Sequence, residues 1–307
     1  MKMNDIRYND LSAYLSAHFP YKVQKISLNA GFTCPNRDGT VGYGGCTYCN
    51  NQTFNPAYCK TEKTVTQQLE EGKLFFARKY PDMKFLAYFQ AYTNTYAELE
   101  ELKRKYEEAL QVSDVVGLVI GTRPDCVDNE KLDLIASYAN DYYTWVEYGL
   151  QSIHNKTLKK INRGHDFDCF LKAYEKTKKR GINVCVHVIF GLWETHDEIM
   201  ETAKKLAQLE VDGVKIHMLC ALENTKLAQM YFDGEIDFMS EEEYVQTVCD
   251  FLEYLPETTT IHRLAGNGLK KNLIAPRWLG AKLDCLNKID REFVKRNSYQ
   301  GVRIIYK

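Results

Sequence analysis

Residues 182–219, INVCVHVIFGLWETHDEIMETAKKLAQLEVDGVKIHML, contain the pattern that decides the fold. Residues 182–190 are a short run rich in β-branched side chains, which predicts a buried strand, and residues 213–219 are a second run of this kind. The polar segment between them, residues 195–209, has the apolar spacing of an amphipathic helix. A strand, a helix and a second strand in this order predict a parallel βαβ unit with a right-handed crossover.

The same alternation extends toward the N-terminus. Further strands are predicted at residues 23–28, 85–91, 115–121 and 144–150. Further helices are predicted at residues 64–79, 97–111, 129–139 and 167–179. The pattern gives six strands where a complete barrel of this class has eight. We therefore expect an α/β fold, a partial (β/α)6 TIM-like barrel with a functional loop after strand 1 and a small C-terminal extension.

The chain is divided into an N-terminal extension (residues 1–22), a barrel core (23–240) and a C-terminal extension of helix and strand (241–307) that could bind substrate. Between residues 261 and 283 the extension has no acids and five basic residues: Arg263, Lys270, Lys271, Arg277 and Lys282. A basic cluster of this kind either positions phosphates or is a solvated face.

The composition excludes several classes of protein. The chain has 40 Lys and Arg against 41 Asp and Glu, so it has no global basic field of the kind that drives non-specific nucleic-acid binding. Residues 1–19 lack the apolar core of a signal peptide, and the apolar runs at 115–120 and 184–190 are too short to span a membrane. We expect a cytoplasmic protein without membrane contact, whose ten cysteines are ligands and buried thiols rather than disulfides.

The long segment of residues 29–60 contains four of these cysteines, spaced as Cys34-PNRDGTVGYGG-Cys46-TY-Cys49 with Cys59 ten residues further on. All four thiolates could close a tetrahedral zinc site, which would make the protein a zinc-stabilised binding module. Alternatively, Cys34, Cys46 and Cys49 hold a [4Fe–4S] cluster and leave one iron open to chelate S-adenosylmethionine. The chain has a single C-x2-C unit, and the segment follows the first strand, at the face where barrels place their chemistry. Both observations favour the cluster.

The loop GFTCPNRDGTVGYGGCTYCNN, residues 31–51, resembles the cluster loop of the radical S-adenosylmethionine superfamily. It is most similar to the branch with a widened first spacing that includes the Elongator catalytic subunit, since eleven residues replace the usual three of C-x3-C-x2-C. The resemblance implies an enzyme with a [4Fe–4S] cluster, S-adenosylmethionine and an electron donor such as flavodoxin or ferredoxin. It also implies that Tyr48, between the last two cluster cysteines, contacts the cofactor.

The segment EYGLQS, residues 147–152, is similar to the fourth-strand motif of this branch and of the oxygen-independent coproporphyrinogen oxidases. The resemblance implies that Glu147 and Gln151, four residues apart on one strand face, bind the cofactor. It places Arg163, twelve residues later, on the cofactor carboxylate. The alternatives are a structural Glu–Arg pair for Glu147 and a surface salt bridge for Arg163.

The next two strands carry further similarity. The segment HVIFGLWET resembles the fifth-strand signature, which implies that His187 approaches the ribose and that Gly191 lets the backbone come close to the adenine. The segment VKIHML resembles the sixth strand, where Lys215 and His217 alternate inward and are the candidate catalytic residues. Neutral core packing is the alternative for His217.

Two positions depart from the family pattern. QAYTNT, residues 90–95, stands where relatives have a Gly-Gly-Glu motif. The hydroxyl of Thr93 and the amide of Asn94 can still hydrogen-bond the methionyl amine of the cofactor. Trp193 occupies a position where relatives commonly have Pro.

The resemblance also suggests a substrate. The chain shows no acetyltransferase, methylthiotransferase or cobalamin module, and it is most similar to the stand-alone, YtqA-like group. Some members of this group are implicated in tRNA wobble-uridine modification, converting 5-carboxymethylaminomethyl-2-thiouridine to the 5-aminomethyl form. The alternative is a small metabolite or cofactor precursor, as in the coproporphyrinogen oxidases.

Overall fold

The computed structural model of the chain describes residues 7–50, 55–77, 82–266 and 272–304. In these residues the strands are β1 (Val23–Leu28), β2 (Lys84–Phe89), β3 (Val115–Thr122), β4 (Tyr143–Gln151), β5 (Asn183–Phe190), β6 (Gly213–Met218), β7 (Ala221–Leu222), β8 (Thr260–Arg263) and β9 (Leu273–Ala275). The first six strands and β8 form one sheet in chain order, with every neighbouring pair parallel. This open sheet is a half-barrel, and β1 and β8 are its edges.

The predicted α/β partial barrel is confirmed, but its sheet has seven strands rather than six. The additional strand, β8, comes from the segment after residue 240 and pairs in parallel with β6. The six predicted strands are all present, with ends that differ by no more than two residues.

The helices of the same residues are α1 (Leu11–His18), α2 (Val65–Ala77), α3 (Leu99–Leu110), α4 (Asn129–Ala139), α5 (Asn155–Lys160), α6 (Phe167–Lys178), α7 (His196–Gln208), α8 (Lys226–Phe232), α9 (Glu241–Glu253) and α10 (Lys282–Lys295). Local chemistry fixes several starts. Thr195 and Glu198 form a reciprocal capping box at the start of α7, and Ser240 and Glu243 form another at α9. A cap of this kind stabilises a helix by about 1 kcal/mol. The last two residues of the helix predicted at 64–79 lie outside the described residues.

The two faces of the sheet have different roles. Tyr148 and Leu150 of β4 are buried in the main core, which lies between the strands and the surrounding helices. Because side chains alternate along a strand, Glu147, Gly149 and Gln151 point to the opposite, inner face.

Helix α1 fills one half of this inner face. Its Leu15 packs with Leu86, Val119 and Trp145, which lie toward the N-terminal ends of their strands. The helix therefore closes that end, and the half of the inner face at the C-terminal strand ends stays open for a ligand. No helix in the described residues is long and apolar enough to cross a membrane.

Candidate functional site

A cavity opens on the inner face, at the C-terminal ends of the strands. Its wall includes predicted site residues from the loop after β1, the segment after β2, strands β4, β5 and β6, and the segment after α5: Cys34, Cys46, Tyr48, Cys49, Thr93, Glu147, Gln151, Arg163, His187, Lys215 and His217. Parallel strands deliver their C-terminal residues to one edge, so a set that is dispersed over 184 positions in sequence meets in one cavity.

The cysteine loop is anchored at several points. Its backbone turns so that Cys49 N–H donates to the carbonyl of Cys46 at 2.9 Å. The Asn162 amide donates to the carbonyl of Gly45 at 2.8 Å, and the Thr47 N–H donates to Ile161 at 3.0 Å. Segment 161–163 therefore holds the loop against the end of β4.

The separation of the cysteines distinguishes the two predicted metal sites. In the described residues, Glu147, Cys185 and His262 are the only three metal-ligating side chains whose ligand atoms all lie within 4.8 Å of one another. The three cavity cysteines are therefore more widely spread. A tetrahedral zinc with Zn–S bonds of about 2.3 Å would hold its sulfurs roughly 4 Å apart. Cys59 is buried elsewhere and does not line the cavity. The arrangement fits a multi-iron cluster better than one zinc ion.

The surroundings of the sulfurs also suit an anionic cluster. The Asn36 amide and the Arg163 guanidinium donate to Cys46 Sγ at 3.7 and 3.6 Å. The Arg37 guanidinium donates to Cys49 Sγ at 3.6 Å. Hydrogen bonds to sulfur stabilise cluster ligands and tune the reduction potential.

Beside the cysteines the cavity wall presents buried polar atoms that lack a hydrogen-bond partner. They are Tyr48 OH, Arg123 Nη1, Gln151 Oε1, His187 Nε2 and Arg263 Nε. A buried polar atom without a partner is costly, so a polar ligand that satisfies several of them binds favourably. S-adenosylmethionine, with its amine, carboxylate, ribose and adenine, offers groups of this kind.

Gln151 and Arg163 are held by the same short segment of β4. Gln151 has a φ of 78°, in the left-handed region that side chains other than glycine rarely adopt, beside an irregularity in the pairing with β5. Strained backbone of this kind concentrates at ligand sites. Arg163 donates to the carbonyl of Gly149 through Nε at 3.1 Å and Nη2 at 2.5 Å. The partners of Arg163 are thus a carbonyl and a thiol, with no surface carboxylate.

At the inner end of the cavity, Glu147 is the centre of an ion network. Its carboxylate accepts hydrogen bonds from Lys25 at 2.7 Å, from Lys215 at 2.8 Å and from the Tyr88 hydroxyl at 2.7 Å. Burial alone would raise the pKa of this carboxyl, but the charges of Lys215 and Lys25 outweigh burial and hold the pKa well below its usual range. The ion-pair partners of Glu147 are therefore two lysines, not the arginine of the alternative prediction.

This network excludes a second metal at Glu147, Cys185 and His262. The Lys25 ammonium lies 2.7 Å from Glu147 Oε1 and 3.2 Å from His262 Nδ1, between the two groups that would bind an ion. An ammonium in this place satisfies the same oxygen and nitrogen that a cation would need.

Burial also governs the other titratable groups of the wall. Desolvation lowers the pKa of Lys215 to about 8, although Glu147 opposes this change. Desolvation likewise holds the pKa of His187 and of His217 well below the usual value, and lowers that of His262 to about 4. The three histidines are neutral at pH 7 and add no charge to the cavity.

Two predicted site residues do not line the cavity. The Asn94 amide donates to the carbonyls of Phe89 and Gly121 at 3.0 and 2.8 Å, so it ties the ends of β2 and β3 together. Gly191 has a φ of 92° and packs near Met218, at the turn that leaves β5. Both lie near the C-terminal ends of the strands, beside the cavity but not in its wall.

Several residues of the site were missed by the sequence analysis. Lys25, Tyr88 and His262 complete the network around Glu147, and Arg123 follows β3 directly into the cavity wall. A lysine in the otherwise strand-like VQKISL was a usable signal, because a charged residue on a buried strand needs a partner. Of the basic tail, Arg263 lines the cavity. Lys270 and Lys271 lie outside the described residues.

Comparison with known proteins is consistent with this site. A sequence model described as the radical SAM superfamily matches residues 32–206, and one described as the Radical_SAM C-terminal domain matches residues 211–295. The uncharacterized protein YtqA of Bacillus subtilis is 44% identical over 297 residues, which are 96% of this chain and 92% of YtqA.

Two further proteins are similar to this chain at lower identity. A tRNA uridine(34) acetyltransferase of Methanocaldococcus infernus is 28% identical over 177 residues, which are 54% of this chain and 32% of that protein. The solved structure of Elp3 from Methanocaldococcus infernus superposes with a TM-score of 0.66 at 20% identity, covering 91% of this chain and 64% of that one. At this identity the superposition shows the shared fold alone.

Proposed function

The chain belongs to the radical S-adenosylmethionine superfamily, and we propose that this enzyme modifies the wobble uridine of tRNA. Enzymes of this superfamily bind a [4Fe–4S] cluster and S-adenosylmethionine and need a reductant. When bound, these groups supply a 5′-deoxyadenosyl radical that abstracts hydrogen from unactivated carbon. The proposed reaction converts 5-carboxymethylaminomethyl-2-thiouridine to 5-aminomethyl-2-thiouridine. The radical would take one hydrogen atom from the carboxymethyl carbon, an oxidised one-electron acceptor would take a second electron to leave an imine, and water would cleave the imine to the amine and glyoxylate.

In this proposal Cys34, Cys46 and Cys49 hold the cluster. Asn36 and Arg37, whose donors already point at the sulfurs, stabilise its charge. The reductant binds outside the cavity, and we expect flavodoxin or ferredoxin in this role.

The S-adenosylmethionine would lie between the cysteine loop and β4. Arg163 donates to Cys46 Sγ from Nη1 and would bind the cofactor carboxylate through its guanidinium. Thr93, Gln151 and His187 supply polar atoms in the same wall for the amine and the ribose. Tyr48, half-buried beside Cys46, lines the cavity from the loop side.

The charge of the cavity is the observation that carries the proposal of an anionic substrate. Four cations line the wall, namely Arg123, Arg163, Lys215 and Arg263, and Glu147 is the one carboxylate among the lining residues. Asp125, which does not line the wall, pairs with Arg123, so the excess positive charge lies on the other three. A desolvated wall of this sign attracts a substrate with negative groups. The name of the tRNA uridine(34) acetyltransferase supports a wobble uridine as the base concerned.

Nucleoside analysis tests the proposal. In cells that lack the gene, mass spectrometry of digested tRNA should show accumulated 5-carboxymethylaminomethyl-2-thiouridine and loss of the 5-aminomethyl form. The wild-type gene should restore the product, and the Cys46→Ala gene should not. An unchanged nucleoside profile would overturn the tRNA proposal and leave a small metabolite as the substrate.

A further inference from the structure

The charges around Glu147 do not balance. Three cations surround this carboxylate: Lys25 and Lys215 through hydrogen bonds, and Arg263 through its place beside Lys215 on the neighbouring strand. No ion pair joins Arg263 to an acid in the described part of the chain, and its Nε is buried without a hydrogen-bond partner. The neighbouring histidines are neutral, because burial lowers the pKa of His187 well below its usual value and that of His262 to about 4.

A surplus of buried positive charge is unfavourable unless an anion approaches it. Lys25 lies behind Glu147, whereas Lys215 and Arg263 both line the cavity and can reach a ligand. Glu147 forms no ion pair with Arg263; Lys25 donates to one of its oxygens, and Lys215 and Tyr88 donate to the other. The missing anion must therefore come from a bound molecule.

We propose that Lys215 and Arg263 form an anion subsite that binds the carboxylate of the substrate's carboxymethylamino arm. This inference rests on the proposed function, because it identifies the group by which the substrate would be recognised. A planar guanidinium and an ammonium on adjacent strands can grip the two oxygens of one carboxylate. Tyr88 and Glu147 fix the direction of the Lys215 ammonium, through hydrogen bonds of 2.5 and 2.8 Å.

The location separates this subsite from the expected place of the cofactor. Lys215 and Arg263 are on β6 and β8, at one edge of the open sheet. The cysteine loop starts after β1 and crosses the C-terminal strand ends, and Arg163 lies against it beside β4, two strands away from β6. The cofactor carboxylate thus has its own cation, and a second carboxylate can enter at the β6–β8 side.

The subsite also explains how substrate and product would be distinguished. The substrate arm ends in a carboxylate, which the two cations attract. The product arm ends in an ammonium, which the same cations repel. Anchoring the carboxylate fixes the adjacent carbon, which is the atom that must meet the radical.

Binding to two tRNAs tests the inference. The tRNAs have identical sequence and carry either 5-carboxymethylaminomethyl-2-thiouridine or 5-aminomethyl-2-thiouridine at position 34. The cluster-loaded enzyme is mixed with S-adenosylmethionine and each tRNA without reductant, so no turnover occurs. The wild type should bind the carboxylated tRNA about tenfold to a hundredfold more tightly, the range given by charge-assisted hydrogen bonds.

The variants locate the effect. Arg263→Gln and Lys215→Met should each reduce this preference to a few-fold or less, because the carboxylated tRNA binds more weakly while the aminomethyl tRNA binds equally well or more tightly. Their iron content and S-adenosylmethionine affinity should equal those of the wild type, which shows that the fold and cofactor site are intact. Lys103→Gln removes one exposed charge from α3 and should keep the full preference.

Each other outcome is decisive. Equal binding of both tRNAs by the wild type overturns the inference, and so does an equal loss for both tRNAs in Arg263→Gln, which would assign the anion to an RNA phosphate. If neither tRNA binds, the proposed function fails, and malonate becomes the probe. Thermal stabilisation of the wild type by malonate, absent in Arg263→Gln, would retain the anion subsite, and no stabilisation would overturn it.

Discussion

Glu147 shows how one buried carboxylate organises the inner wall of the cavity. The attraction of Lys215 and Lys25 exceeds the effect of burial, so the pKa of Glu147 lies well below its ordinary value of 4.5. The folded protein therefore binds fewer protons here than the unfolded chain does in acid. The contribution of Glu147 to stability is fully present above about pH 4.5 and is lost as the pH falls further.

Substitution of Glu147 tests this network. Glu147→Gln leaves two lysines without their carboxylate and should lower the free energy of unfolding by about 3–5 kcal/mol at pH 7. Tyr88→Phe removes one hydrogen bond to the same carboxylate and should cost about 1 kcal/mol. Urea unfolding of both variants gives these values. A Glu147→Gln variant as stable as Tyr88→Phe would contradict the ion network.

The cysteines provide a second prediction for single residues. Cys46→Ala should abolish the brown chromophore and lower iron and sulfide per chain, because Cys46 lies in the cavity wall among N–H donors. Cys59→Ala should keep both, since Cys59 is buried away from the cavity and burial raises the pKa of its thiol to about 12. Absorption spectra and iron analysis after anaerobic purification measure this. Loss of the chromophore in both variants would make Cys59 a ligand.

At the scale of elements, the predictable parts are those whose pattern is local. The strand at Val23–Leu28 and the helix at Asn129–Ala139 were predicted to the residue, because each has one period and polar or capping residues at its ends. The cysteine loop could also be recognised from the sequence, because the spacing of its ligands is a local property.

The features that the sequence analysis missed are those that depend on strand pairing. Strand β8 has four residues and lies more than 40 positions beyond β6, so it is too short to show a hydrophobic period in the sequence. The partners of Glu147 were missed for a related reason. Lys25 and Tyr88 come from β1 and β2, and only the strand order and register bring them to β4. Such contacts are tertiary and have no signal in one strand alone.

Strand β4 yields a prediction at this scale. A methyl group on Gly149 would lie 2.8 Å from Arg163 Nη2 and Gln151 Nε2, the ends of two flexible side chains. Gly149→Ala should therefore keep its fold but displace both side chains and weaken S-adenosylmethionine binding about tenfold or more. A methyl group on Gly117 would lie 1.9 Å from the Tyr143 carbonyl oxygen, so Gly117→Ala should lower the melting temperature instead.

Equilibrium binding and thermal melting separate the two glycine variants. Unchanged affinity for S-adenosylmethionine in Gly149→Ala would show that the cofactor does not depend on the segment between Glu147 and Gln151. If both variants lost stability and neither lost affinity for S-adenosylmethionine, both glycines would be needed only for packing of the sheet.

The whole molecule has almost no net charge, but its cavity wall has more cations than carboxylates. The formal net charge is −1, while the cavity wall carries four cations and one carboxylate. If tRNA is the substrate, as proposed, its binding must depend on a few cations near the C-terminal strand ends. Exposed Arg277 is one candidate, because it follows β9, which pairs with β7 just beyond β6.

Salt dependence measures how many cations contact the RNA. The affinity for tRNA should fall linearly with the logarithm of salt concentration, with a slope of about 0.7–0.9 for each phosphate contact. Arg277→Gln should reduce this slope by about one contact, whereas Arg104→Gln, an exposed arginine on α3 at the opposite side of the strands, should leave it unchanged. Filter binding over a salt series gives both slopes.

Absence of RNA retention at about 50 mM salt, where electrostatic binding is strong, would exclude tRNA as the substrate. An equal decrease in both variants would mean that RNA binds the surface diffusely, without using the face at which the cavity opens.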